Sequence, residues 1–354
     1  MKRKVLGSLV VMGFVSVMLT AGYALAVDNY GKNIDPKWMK ENRWDKWGSD
    51  DQVGALNMLT SRSVLDALRL VKKGKVYDLE TVRFKGMPVW PGHSGWDLLP
   101  YASPKGRQNM VKESMYSAKY NFYAKGGWLD ENINKYNVGL NSEIMMGPLH
   151  VGTHMDSLSH LTVGKDNHWW GGAKESDCWS DFGPLKCDAS HIPPMIMRGI
   201  LLDIPGYKNV RHLAPHEPVS IDDVKECARW EGVEIKKGDC VLINTGQNWP
   251  EMNTAPAAGP TLEAIMYLIG QKDVAIIGDD QAAFEWFPSD APASFPGHVH
   301  PCHQYMLIQN GVHIMEMVQM DELAKDKVYE FCFICLPTKI KGATGMMIRP
   351  IAVI

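Results

Sequence analysis

Eleven residues constrain this chain more than any other stretch: His150-Val-Gly-Thr-His154-Met-Asp156-Ser-Leu-Ser-His160. Three imidazoles and one carboxylate fall within that span. A fold that contains it either scatters these groups on a surface loop or draws them toward one point. Two histidines four apart would suit either outcome. Adding Asp156 and His160 favours convergence on a divalent metal of the zinc, manganese or iron type. The run is not H-E-x-x-H, so a protease-like metal helix is not indicated. Gly147, Pro148, Gly152 and Thr153 all disfavour a regular helix. A strand ending near Met146 and then a tight ligand-bearing turn is expected, with Gly152 letting the backbone pass close to the metal. A bound divalent cation can bring the pKa of water near neutrality, so hydrolysis is the reaction class implied.

The run H-x-G-T-H-x-D-x-x-x-H resembles the signature of the metal-dependent cyclase family, which includes bacterial kynurenine formamidase and isatin hydrolase. Trp47-Gly-Ser-Asp-Asp-Gln-Val-Gly-Ala-Leu-Asn57 resembles the entry segment of its longer members, and Pro88-Val-Trp-Pro-Gly92 their early Pro-Gly turn. Arg198–Asp203 and Lys237–Gly246 resemble internal strands, and Gly342–Gly345 and Arg349–Ala352 the closing strand. Leu158 stands where the family commonly has a proline, while the ligand positions are intact. The resemblance implies an α/β fold with a compact β-barrel-like core flanked by helices, assembled as a homodimer or homotetramer. It implies that His150, His154 and Asp156 hold a principal metal. His303 and Glu316 match the positions at which the formamidase branch holds a second ion, so one or two zinc or manganese ions are expected, with Asp156 able to bridge. His160, the last histidine of the motif, can be read as a ligand or as a general acid/base, and the resemblance favours the second role.

The first 26 residues have the form of an export signal: Lys2-Arg3-Lys4, an apolar run from Val5 to Leu19, and the small-residue site Ala24-Leu25-Ala26. Export to the periplasm with cleavage near Ala26 is expected. Removal of the three basic residues leaves 34 basic against 40 acidic side chains, a formal charge of −6. That balance excludes binding to nucleic acid or to an anionic membrane surface through a basic surplus. Residues 27–59, rich in Trp, Asp and Asn, are expected to form an arm, and residues 60–354 a single catalytic domain. Of seven cysteines, Cys178 and Cys187 bracket a short loop and could pair; burial as small apolar side chains fits them equally.

Helices and strands alternate along the chain, as in an α/β core. Helices are expected from Arg62 to Lys73 after a Thr60 or Ser61 cap, over the Ser220-capped segment ending at Trp230, and from Thr261 to Ile269. Strands are expected at Val76–Phe84, Ile200–Ile204, Cys240–Asn244, Val274–Ile277 and Tyr329–Leu336. Among His298, His300 and His303, the resemblance, aligned through a helix (Gln304–Gln309) and then a strand (Val312–Met315), implies His303 as the ligand. Glu316, among apolar neighbours, needs a cationic partner if buried. Asp279, Asp280 and Gln281 end an apolar strand, where functional polar groups and helix caps both occur. Trp90, Trp169 and Trp170 are candidates for the walls of a pocket for a planar small-molecule substrate, with core packing the competing fate of the Trp pair. The reaction implied is cleavage of a C–N bond in an amide, formamide or cyclic amide; opening of a lactone or ester, or a cyclisation or dehydration, could use the same groups.

Overall fold

The computed structural model describes residues 42–90, 92–102, 135–136, 138–139, 141–247, 258–287 and 299–354. The expected export signal, the first part of the arm and His298 lie outside the described residues. Internal packing divides the chain into two units, Met1–Thr81 with Gly152–Ile354, and Val82–Val151.

The first unit is built on one sheet of nine strands. In chain order these are β1 (Val76–Asp78), β2 (His154–Asp156), β3 (Met195–Asp203), β4 (Cys240–Asn244), β5 (Ile276–Asp279), β6 (His313–Glu316), β7 (Glu330–Cys335), β8 (Gly345–Met347) and β9 (Ile351–Val353). Their spatial order is β1-β9-β7-β3-β4-β5-β6-β2-β8. The central strands β3, β4, β5 and β6 are parallel, and the flanking pairs are antiparallel. Parallel strands covered on both faces read as continuous apolar runs, and Cys240–Asn244 is buried at all five positions. The sheet curls into a half-barrel. Beyond β1 the chain crosses to the far strands: Leu79 accepts from Gln319 N at 2.9 Å, and Thr81 N donates to Thr153 Oγ1 at 2.8 Å. The expectation of a barrel-like core flanked by helices holds.

Helix α1 (Ser61–Leu68) starts with a capping box between Thr60 and Ser63. It ends before the expected Lys73 because the Lys73 and Gly74 N–H groups donate instead to Ile354 O, at 2.9 and 2.6 Å. Helix α2 (Ile221–Glu231) has the Ser220–Asp223 capping box, and Gly232 closes it with φ 71°. Helix α3 (Leu262–Gly270) is capped by Thr261. The strand expected to reach Phe84 stops at Asp78, where its antiparallel partner β9 runs out. No helix among the described residues is long and apolar enough to cross a membrane.

Residues 42–59 lie on the first unit. Trp44 Nε1 donates to Ile308 O at 2.6 Å, and Arg43 N donates to Gln309 O at 2.7 Å. Arg43, Lys46 and Lys237 all pair with Asp273, at 2.9, 2.9 and 3.0 Å. These pairs hold the Asp273 carboxyl down at about 2, against a burial that would raise it.

The seven cysteines are buried and unbridged, so the Cys178–Cys187 pairing does not form. Burial pushes the Cys302 thiol well above its usual range, which suits a packing residue rather than a nucleophile.

In the second unit, Asp97–Ala102 and Ser142–Met146 form a two-stranded antiparallel sheet. The expected strand end at Met146 is met. Gly147 follows because a Cβ there would lie 2.8 Å from the Trp96 ring.

Candidate metal centre

The ligand-bearing segment of the motif is a strand, not the expected turn. Residues His154–Asp156 pair with β6 on one side and β8 on the other, and two partners override the local preference for a turn. Alternation along β2 puts His154 and Asp156 on one face and the fully buried Met155 on the other. The residues before β2 set its position. Gly152 takes φ 57°, open to glycine at little cost. Thr153, wholly buried, accepts from Thr81 N and donates from Oγ1 to Met317 O at 2.7 Å. That bond ties the start of β2 to the residue after Glu316.

On β6, Glu316 stands directly opposite His154. His303 arrives from a different element. A short helix, Pro301–His303, runs into a π-helix, Gln304–Asn310, a rare conformation that recurs at functional sites. Gly311 (φ 63°) ends it, and a Cβ there would come within 2.7 Å of the Trp170 ring.

Four buried side chains thus meet. His154 Nε2 lies 3.3 Å from Glu316 Oε2 and 3.6 Å from Asp156 Oδ1. His303 Nε2 lies 3.3 Å from Glu316 Oε1 and 3.6 Å from Asp156 Oδ2. Each carboxylate therefore spans both imidazoles. Both rings are oriented from behind: His154 Nδ1 donates to Gly152 O at 2.8 Å, and His303 Nδ1 donates to the Glu285 carboxylate.

With Nδ1 committed, each Nε2 faces two carboxylates. Something positive must lie between them, either protons on the imidazoles or a cation. Burial alone would lower both histidines; the Glu316 hydrogen bond raises His154, and Glu285 and Glu316 raise His303 well above its usual range. Burial would raise Glu316, and the two imidazoles bring it below its usual value. Two neutral imidazoles and two carboxylates carry −2, the charge that one divalent cation balances. Ligands about 2.1 Å from a tetrahedral zinc lie roughly 3.4 Å apart, close to the spacings seen. The donor set fits a zinc- or manganese-type cation. Asp156, His303 and Glu316 have ligand atoms mutually within 4.8 Å.

His160 follows β2 by four residues and is half-buried. Its ring centroid lies 6.4 Å from that of His303, and one of its ring nitrogens lies within 4.8 Å of an Asp156 carboxylate oxygen, so it stands at the edge of the cluster. His313 Nδ1 donates to Asp156 O at 2.9 Å, a structural bond behind the ligand.

His150 and Trp90 belong to the second unit, where the His150 ring lies 5.6 Å from that of His93 and Trp90 is 37% exposed. The cluster above is made from first-unit residues alone. Trp169 and Trp170, each 1% exposed, are core residues instead of pocket walls. Their indole N–H groups donate to Lys186 O at 3.1 Å and to Asp51 Oδ2 at 2.9 Å.

Sequence reasoning missed Glu285. The signal was present, because a carboxylate inside Phe284-Glu285-Trp286-Phe287 is due for burial and needs a cationic partner. Asp279, Asp280 and Gln281 are all buried. Asp280 accepts from Thr245 Oγ1 at 2.6 Å and Gln247 N at 2.9 Å, and burial still pushes it up to about 7. Burial, with the Asp280 and Glu316 charges, pushes Asp279 well up.

The Cyclase family model matches residues 77–286. The solved structure of a novel cyclase is 25% identical, with 88% of this chain and 99% of that one covered and a TM-score of 0.71. An isatin hydrolase bound to the product analogue thioisatinate is 19% identical, with 84% and 99% covered and a TM-score of 0.53. Isatin hydrolase A from Ralstonia solanacearum is 18% identical, with 83% and 97% covered and a TM-score of 0.54. The two isatin hydrolases share the fold. No curated protein matches the chain.

Proposed function

The chain belongs to the Cyclase family, and on that premise we propose a metal-dependent hydrolase that cleaves a C–N bond in an amide, formamide or cyclic amide. The observation that carries this reading is the convergence of His154, Asp156, His303 and Glu316, with both Nδ1 atoms tied off behind them. A divalent cation held there, zinc or manganese, would polarise a carbonyl and lower the pKa of water.

The remaining chemistry belongs to the chain. Asp156 and Glu316 supply the negative charge that retains the cation, and the two imidazoles complete its donors. His160, beside His303 and partly open, is the general acid/base: it takes the proton released by water and returns it to the departing nitrogen. Isatin is a cyclic amide, so the isatin hydrolases that share the fold make small cyclic amides the first substrates to try. The reading keeps residues 1–26 as an export signal and the mature chain as a homodimer or homotetramer.

Elemental analysis of purified mature protein, beside His154→Ala and His160→Ala, tests the proposal. About one or two equivalents of zinc or manganese are expected in the wild type. They should be lost in His154→Ala and kept in His160→Ala, with turnover on an amide and lactone panel lost in both. A wild type that binds none of zinc, manganese or iron and gains no activity from them would overturn it. Turnover of lactones with inert amides would move the reaction to C–O cleavage.

A further inference from the structure

Glu285 is almost fully buried, and its carboxylate is turned onto residues 300–303, the segment that carries His303. Oε2 accepts from Cys302 N at 3.0 Å. Oε1 accepts from His303 N at 3.3 Å and, in a short bond, from His303 Nδ1. Oε1 also lies 3.4 Å from His300 Nδ1.

The backbone is bent to permit this. Phe284 has φ 57°, a left-handed conformation that costs a bulky residue of order 1 kcal/mol or more. Glu285 N then closes a tight turn onto Ala283 O at 2.5 Å. On the opposing side His300 has φ 53°, just before Pro301. Both the residue before Glu285 and the histidine beside its carboxylate are therefore strained, and strain persists only where the surroundings over-determine it. Simple neutralisation of a buried charge would need neither the bend nor aim at Nδ1.

Given the cation site proposed above, we propose that Glu285 is the positioning residue of His303. It holds Nδ1 protonated and leaves the Nε2 lone pair directed between Asp156 and Glu316. It also raises the donor strength of the imidazole. The two backbone N–H bonds fix the carboxylate itself, so the ring is held by a rigid anchor and not by a mobile side chain.

The test measures zinc affinity of the metal-stripped full chain by competition with a chromophoric chelator, and the visible spectrum of the Co2+-loaded form. Wild type, Glu285→Ala, Glu285→Gln and, as a control, Asp239→Asn are compared. Asp239 is a buried carboxylate paired to Arg198 at 2.6 Å, away from the cluster. Loss of Glu285 should weaken zinc binding about 10–100-fold, the usual effect of removing such an outer partner, and should shift the Co2+ bands. Glu285→Gln keeps an acceptor for Nδ1–H and should fall between Glu285→Ala and wild type. Asp239→Asn, though destabilised, should bind like wild type. Wild-type affinity and an unchanged Co2+ spectrum in Glu285→Gln and Glu285→Ala would overturn the positioning role. If Glu285→Ala does not fold, Glu285→Gln alone decides. A wild type that takes up no metal would instead sink the cation site itself, and this inference with it.

Discussion

Thr153→Val probes the joint that sets β2 against the end of β6. Valine matches threonine in shape, so the core loses no volume and only the hydroxyl is removed. That hydroxyl accepts from Thr81 N at 2.8 Å and donates to Met317 O at 2.7 Å. The variant strands one buried N–H and one buried carbonyl. Each costs about 1–3 kcal/mol when left unpaired, so the pair should cost about 2–6 kcal/mol. For a chain of this length, about 2 °C is lost per kcal/mol, which predicts a drop of about 4–12 °C in Tm. Urea titration of the metal-stripped protein measures the free energy directly, and Thr153→Ser, which keeps the hydroxyl, is the control. The serine variant should lose only the burial of one methyl, about 1 kcal/mol. A Thr153→Val protein within about 0.5 kcal/mol of wild type would show that the hydroxyl does not join the two strands, and the account of how β2 is seated would be wrong.

Trp170→Phe removes the indole donor to Asp51, a hydrogen bond to a charged group that contributes about 2 kcal/mol. Residues 42–52 should then be cut faster in limited proteolysis, and an unchanged rate would show that Trp170 does not hold them. Glu231 is pushed by burial to about 8 from an ordinary value of 4.5. The folded state keeps a proton that the unfolded chain gives up, so this group's contribution is complete below pH 4.5 and is lost as pH rises to about 8. Stability of the wild type should fall across that window, and Glu231→Gln should flatten the fall; parallel curves for the two proteins would refute the assignment.

Much of the molecule is legible in order along the chain. The Cys240–Asn244 strand is found at its observed bounds because a buried parallel strand is apolar throughout. The α2 cap is readable because Ser220 and Asp223 make a local contact three residues apart. The strand that puts His154 and Asp156 on one face was not legible: the local sequence favours a turn, and pairing with β6 and β8 decides otherwise. Trp169 and Trp170 were not legible either: an aromatic pair looks the same in sequence whether it lines a pocket or fills a core, and only the packing around it decides.

The sequence by itself determined which donors were available, where the helices begin, and that the chain resembles a metal-dependent family. Only the tertiary structure decided that Glu316 stands opposite His154, that the short helix leading into a π-helix delivers His303, and that Glu285 anchors it. These relations join residues far apart in the chain through a sheet whose strand order departs from chain order. Local propensity encodes the conformation of each segment. The neighbours of a strand are chosen by the burial and pairing of the whole sheet at once, and the site exists only where those choices bring its pieces together.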